Sequence, residues 1–331
     1  MITRALRHAA VPLALAALAT GGLATLPAPA GADVAEPQVG GSGWTTDDRC
    51  TLSGAQPATW VPWTDNGVPV TQGFNGTTTV TNPDQASDKY TVTTSGSATV
   101  QAAPLTGGTG TITFSANVAM NRVRAQAASA CAPDVSASAE ASGKVTLTQP
   151  TWVTVAGSGD GPLDPDGWSG GATAYLTGVD RTLELDLGKR GSGSVTTLMP
   201  PGQLDVYLAA RVGGGTGVGA QSYTASLSVR LQPAGAGSAP SGKGQAMVVF
   251  GARDCATGQV NAALTKKAKK KAAKVVFRVN GAKAATFKRK KVKPRAVVLP
   301  AASASPVTAS AAIKLANGKK ATVTRSYLPC S

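Results

Sequence analysis

After Cys255 the sequence contains no aspartate and no glutamate through to its final residue, Ser331. That run nevertheless holds 18 of the 32 lysines and arginines, so it has no carboxylate of its own to pair with them. The residues before it carry the other 14 basic side chains against all 17 acidic ones, and the overall +15 therefore hides a slightly acidic part joined to a strongly basic one. Such a segment is an electrostatic footprint for polyanions. Its charge falls in two clusters: Lys266, Lys267, Lys269, Lys270, Lys271 and Lys274, then Lys288, Arg289, Lys290, Lys291, Lys293 and Arg295. These twelve are the candidate polyanion contacts, and an anionic cell-wall polymer is the expected partner outside a cell.

Imidazole is nearly absent too. The one histidine, His8, lies in an N-terminal stretch with Arg4 and Arg7, the apolar run VPLALAALATGGLATL and the small-residue end APAGA. These are the parts of a secretory signal peptide, which we expect over residues 1–32. A retained membrane anchor fits less well, because the run is short and broken by Pro12 and Gly21-Gly22. No later run is long enough to insert in a membrane, so a secreted or surface-associated protein is expected. Without an imidazole, serine triads, Cys/His nucleophiles and histidine-bound zinc are excluded.

Carboxylate pairs can still hydrolyse glycosides without histidine, and Asp160, Asp164, Asp166, Asp180, Glu184 and Asp186 lie close in sequence. In the alternating run RTLELDL, however, Glu184 and Asp186 read as a solvated strand face. No catalytic residue is expected, and the chain is read as non-enzymatic. Nucleotide cofactors are excluded likewise. The loop GSAPSGK from Gly237 continues with Gly244 where a magnesium-binding hydroxyl belongs, and the glycines of VGGGTGVGA precede a period-two run rather than a helix. No cofactor is expected. The weak metal candidate is calcium at Asp160, Asp164 and Asp166 in SGDGPLDPDGWSGG, whose spacing does not match a helical-hand loop.

Cysteines are few, and no C-x-x-C pair occurs among Cys50, Cys131, Cys255 and Cys330. An even count in an exported chain reads as disulfides. Locality favours Cys50 with Cys131 and Cys255 with Cys330. Aromatics make up only 5% of the chain. Trp60 and Trp63, near Trp44, are the candidate stacking platform for sugar rings, although core packing is the duller reading of tryptophan. A carbohydrate-binding protein is therefore the alternative function, and a histidine-free glycosidase a more distant one.

What the chain has in quantity is short alternating runs rich in Val, Thr, Leu and Tyr, separated by turn residues, from TTTVTN near 80 to QAMVVF near 248. The expected class is all-β: one large or two small sandwiches over 33–250, with an internal boundary near 150 left open, then a basic domain over 251–331. Within the basic part, Asn280-Gly281 and Asn317-Gly318 each separate two alternating runs, the strongest short-range hairpin signal. QVNAALT and PRAVVLP supply further strands. The stretch ASACAPDVSASAEASG is ambiguous between helix and strand, and its small-polar alternation favours strand.

The FRVNG hairpin and the closing NGKKATVTRSYLPC strand of residues 255–331 resemble the small immunoglobulin-like sandwiches of extracellular proteins from high-GC Gram-positive bacteria. That resemblance implies a fold and an extracellular setting but no activity. The inner tryptophan of antibody-type domains is missing here. The combined expectation is a secreted, non-enzymatic binding or structural protein whose basic C-terminal module docks on anionic polymers.

Overall fold

The computed structural model describes residues 34–331, apart from Ala127, residues 162–167, Lys189 and residues 215–217. The expected signal peptide thus lies outside the described residues, as do Asp164 and Asp166. Among the described residues, twenty strands make four antiparallel sheets. The fold is all-β, as expected.

The first thirteen strands are β1 (Ala35–Thr46), β2 (Thr51–Gly54), β3 (Ala58–Val61), β4 (Val70–Asn82), β5 (Gln85–Ala102), β6 (Gly110–Arg124), β7 (Asp134–Leu147), β8 (Thr151–Asp160), β9 (Trp168–Thr177), β10 (Thr182–Asp186), β11 (Arg190–Met199), β12 (Gly202–Gly214) and β13 (Gly219–Pro233). They form a six-stranded sheet, β10-β9-β12-β7-β1-β3, and a seven-stranded one, β11-β8-β13-β6-β5-β4-β2. One hydrophobic core from Val39 to Leu231 lies between them. Residues on either side of position 150 share both sheets, since β7 pairs with β12 and β6 with β13. The region is therefore one large sandwich rather than two small ones.

The ambiguous alanine-rich stretch becomes β7, and its alternation explains why. Ala137, Ala139 and Ala141 point inward and are buried, while Ser136, Ser142 and Lys144 point outward. Alanines on one inner face leave room for large partners from the other sheet. The Phe74 ring takes a slot between Gly41 on the facing sheet and Gly96 directly opposite on β5, where an added Cβ would fall within 2.7 Å of the ring. Tyr223 is wholly buried between Gly159, Gly161 and Gly170, and its hydroxyl donates to the Gly188 carbonyl at 2.7 Å. Both of these rings are seated on glycine.

The remaining strands are β14 (Val248–Asp254), β15 (Gln259–Leu264), β16 (Ala272–Val279), β17 (Ala282–Lys288), β18 (Arg295–Pro300), β19 (Val307–Leu315) and β20 (Lys320–Tyr327). Three of them pair as β14-β15-β18 and four as β17-β16-β19-β20, around a second core from Met247 to Tyr327. This is a seven-stranded, three-plus-four sandwich. The constant-type antibody arrangement places the fourth strand beside the fifth, whereas β17 pairs with β16 here. In place of the missing tryptophan, Phe277 on the third strand meets Phe250 and Phe287 edge-on at centroid distances of 6.1 and 6.0 Å. Position 251 falls inside β14, so the change of sheet comes earlier than the expected boundary, between Pro233 and Val248. QAMVVF, which ends just before position 251, supplies the start of β14 and pairs with β15.

Both hairpins form, with different turns. Asn280 and Gly281 both take positive φ, 47° and 81°, as a two-residue primed turn requires. At the second, only Gly318 does, and Asn317 Oδ1 accepts from the Lys319 amide. The Gly/Ser/Pro segment after β13 is a long loop that runs beside β20. Ser241 and Thr324 exchange backbone hydrogen bonds there, and Gly244 donates to Thr322, which covers an otherwise open sheet edge.

The disulfides join Cys50 to Cys131 and Cys255 to Cys330, across Cα separations of 5.8 and 5.4 Å. Around the first, Asp47 accepts from the Arg49, Cys50 and Ala132 amides, and Asp88 accepts from Ala130. Below the second, buried Arg253 donates to the carbonyls of Ala302, Ser303, Ser305 and Leu328.

Candidate functional site

The four-stranded sheet of the basic module has an inner face set by Val275, Phe277, Ala311, Ile313 and Val323, all buried. Alternation then turns Lys274, Lys288, Lys314 and Lys320 to the outer face. Register adds what alternation cannot show. Lys288 stands directly opposite Lys274, Lys274 opposite Lys314, and Lys314 opposite Lys320. Four lysines thus cross all four strands in one row. With strands about 4.8 Å apart, the row spans about 14 Å.

Beneath and beside the row lies a concave surface. A cavity of about 790 Å³ is lined by Lys274, Val276, Arg278, Lys283, Thr286, Lys288, Arg289, Lys290 and Lys291. A second, of about 320 Å³, shares Lys274 and Val276 and adds Ala312, Lys314, Lys320 and Thr322. No carboxylate lines either one. Among the described residues, every acid-base ion pair lies before residue 254. Asp254, the nearest acid in sequence, accepts from the Ala256 and Thr257 amides of its own turn. The Thr286 hydroxyl, buried in the lining, has no hydrogen-bond partner among the described residues.

The structure sorts the twelve sequence candidates. Lys274, Lys288, Arg289, Lys290 and Lys291 come together around one cavity. Lys266, Lys267, Lys269, Lys270 and Lys271 form a short helix, α1 (Lys266–Lys271), capped by Thr265 Oγ1 on the Ala268 amide at 3.3 Å. They lie outside the cavity lining, as do Lys293 and Arg295. The α1 lysines precede β16 at the same end of the sheet as the row. Arg295 instead stacks on the Phe287 ring, 5.0 Å from its centroid. Sequence reasoning missed Arg278, Lys283, Lys314 and Lys320. The signal for the last two was present, because the Asn317-Gly318 turn fixes the register that sets Lys314 against Lys320.

The other candidates part company. Trp63 is 2% exposed and donates its indole N–H to the Ser142 carbonyl at 2.9 Å, so it is a core residue and cannot stack on a sugar. Trp60 is 40% exposed on edge strand β3. Asp160 is exposed and ion-paired with Arg190 at 2.7 Å, and its proposed calcium partners lie outside the described residues. Glu184 and Asp186 share the exposed side of β10. Asp47, Cys50 and Cys131 lie close enough to ligate a metal, but the two sulfurs are bonded to each other and neither is a thiolate. No described helix is long and apolar enough to cross a membrane.

No protein-family model matches the chain, and no curated protein matches it. Among solved structures, the adhesin domain of Epf from Streptococcus pyogenes aligns at 8% identity and a TM-score of 0.21, over 73% of this chain and 79% of that one. A structure of carbohydrate-binding modules from the β-sandwich superfamily aligns at 12% identity and a TM-score of 0.16, over 56% of this chain and 83% of that one. At these scores neither likeness carries an argument. Function has to be read from the residues.

Proposed function

We propose that the protein is a secreted, non-enzymatic binding protein whose basic C-terminal module docks on an anionic cell-wall polymer. The observation that carries this reading is the cross-strand row Lys288, Lys274, Lys314 and Lys320. Like charges placed directly opposite on neighbouring strands destabilise a sheet. Three successive pairs of this kind with no intervening carboxylate make sense where an external anion supplies the missing countercharge. Lysine suits the task, since its compact ammonium on a flexible stem follows a repeating anion without demanding one bidentate geometry. Within the module only Phe250, Phe277, Phe287 and Tyr327 are aromatic among the described residues, and Phe250, Phe277 and Tyr327 are core residues, so readout of bases by stacking has little support.

The extracellular setting rests on two disulfides and the expected signal peptide. Absence of histidine after His8 supports the non-enzymatic reading. Treating the basic segment as an immunoglobulin-like module is supported by its separate core and its three-plus-four strands. To test the docking, the exported chain is applied to cell walls that bear teichoic acid and to the same walls stripped of it. Retention only on the former, lost when Lys274 and Lys314 are both replaced by threonine, is expected. Equal retention on stripped walls would contradict the proposal.

A further inference from the structure

We infer that the outer face of the six-stranded sheet is a second binding site, for neutral polysaccharide, with Tyr175 and Tyr207 as its stacking wall. Register places these two tyrosines directly opposite each other on β9 and β12. Tyr175 is 43% exposed and Tyr207 half-buried. Together they form one side of a cavity of about 350 Å³, within the size range of small-ligand sites. Across it stand Lys144 and Asp205, which are register partners on β7 and β12. Asp205 makes no hydrogen bond or ion pair of its own among the described residues, while Lys144 pairs with Glu36 at 2.7 Å. An aromatic face beside a carboxylate and an ammonium is the set of contacts a pyranose uses, with C–H groups on the ring and vicinal hydroxyls on the charges.

The face is also long and carries further polar groups and rings beyond the first cavity. Ser142 lines the first cavity, while the Ser42 and Ser138 hydroxyls bond each other between the strands at 3.4 Å. Beyond the tyrosines, a second cavity of about 480 Å³ carries Trp44, Ser136, Ser169 and Arg211. Arg211 is committed to neighbours, donating to the Tyr207 hydroxyl and pairing with Glu140 at 3.5 Å. Trp60 adds an exposed ring at the edge, opposite Gly40. Acids on this face outnumber bases, with Glu36, Glu140, Glu184, Asp186 and Asp205 against Lys144 and Arg211. An anionic polymer that suits the lysine row is repelled here. A neutral chain lying along the strands meets rings, hydroxyls and hydrogen-bonding carboxylates without that repulsion.

The test is native affinity electrophoresis of the full exported chain through gels holding galactomannan, xylan, β-glucan or α-glucan. At least one gel is expected to retard it, with little change as salt is raised, because no counterions are released by a neutral ligand. Tyr175→Ala and Asp205→Ala, both surface changes, are expected to weaken that retardation about tenfold each, with unchanged thermal midpoints. The paired Lys274→Thr and Lys314→Thr change is expected to leave it intact, which separates this site from the polyanion site. Free mobility in all four gels, or retardation that survives both Tyr175→Ala and Asp205→Ala, would overturn the inference.

Discussion

Lys274 and Lys314 face each other directly across β16 and β19, and each has another lysine, Lys288 and Lys320, on its far side. The arrangement should weaken the free protein. Each like-charged pair costs about 0.2–1 kcal/mol at low salt, so replacing Lys274 and Lys314 by threonine, a good strand former, is expected to stabilise the chain by about 1 kcal/mol. Thermal unfolding in dilute buffer checks this. The gain should shrink as salt is added, because screening relieves the same repulsion in the parent. A double variant less stable than the parent would mean that the row is neutralised from within.

Arg253 ties the chain's end to the module. Its buried guanidinium serves four carbonyls, those of Ala302, Ser303, Ser305 and Leu328, and Arg253→Met removes that donor from all of them, leaving Ser303 only the Cys330 amide. A loss of about 2–4 kcal/mol is expected in denaturant unfolding. Arg253→Lys should recover only part of it, since one ammonium cannot span the positions that a planar fork reaches. A loss below about 0.5 kcal/mol would show that the carbonyls find other donors.

Non-reducing peptide mapping of the protein should recover Cys50 linked to Cys131 and Cys255 linked to Cys330. Each bond closes a loop with a sequence separation of 81 or 75 residues. On the chain-entropy account, either closure is worth about 4–5 kcal/mol. The Cys255→Ala, Cys330→Ala variant is therefore expected to unfold its module well before the larger sandwich. A cross-pair such as Cys131 with Cys255 would contradict the fold.

Tyr207 gives the large sandwich an alkaline signature. Burial first, and then the Glu140 carboxylate, push its phenol up to about 12. A raised folded pKa means that the neutral phenol is favoured in the fold. Its contribution is complete below the unfolded value near 10 and is lost as pH climbs towards 12. With the ring half exposed, the loss should be about 1–2 kcal/mol. Tyr207→Phe should flatten that part of the pH–stability curve, as read by denaturant titration. An unchanged slope would place the titrating group elsewhere.

Much of the fold was legible because alternation reports burial directly. The strands around residues 80, 114, 184 and 208, both Asn-Gly hairpins and the β7 stretch all follow from period two. Partners between sheets were harder, because short runs separated by similar turns do not say which strand crosses over. QAMVVF shows this, since its alternation does not say that it pairs with β15, and alternation alone does not separate one sandwich from two. The site was half legible. Lys274 and Lys288 to Lys291 stand out as charge runs, whereas Lys314 and Lys320 are isolated and gain meaning only from register. The α1 lysines, the densest charge run, lie outside the linings of the two cavities beside the row. Trp63 shows the same limit for aromatics, because composition cannot tell a stacking ring from a core ring whose N–H meets a carbonyl.

The central claim is that the lysine row binds polyanion, and the salt dependence of affinity tests it most directly. Binding of the protein to long-chain polyphosphate, measured across a salt series, should give a log-affinity against log-salt slope of about −4 to −5, as about six contacts require. Replacing Lys274 and Lys314 by threonine should make the slope shallower by about 1.5, with binding weaker at every salt concentration. An unchanged slope in the variant, or release of the parent below physiological salt, would contradict the account.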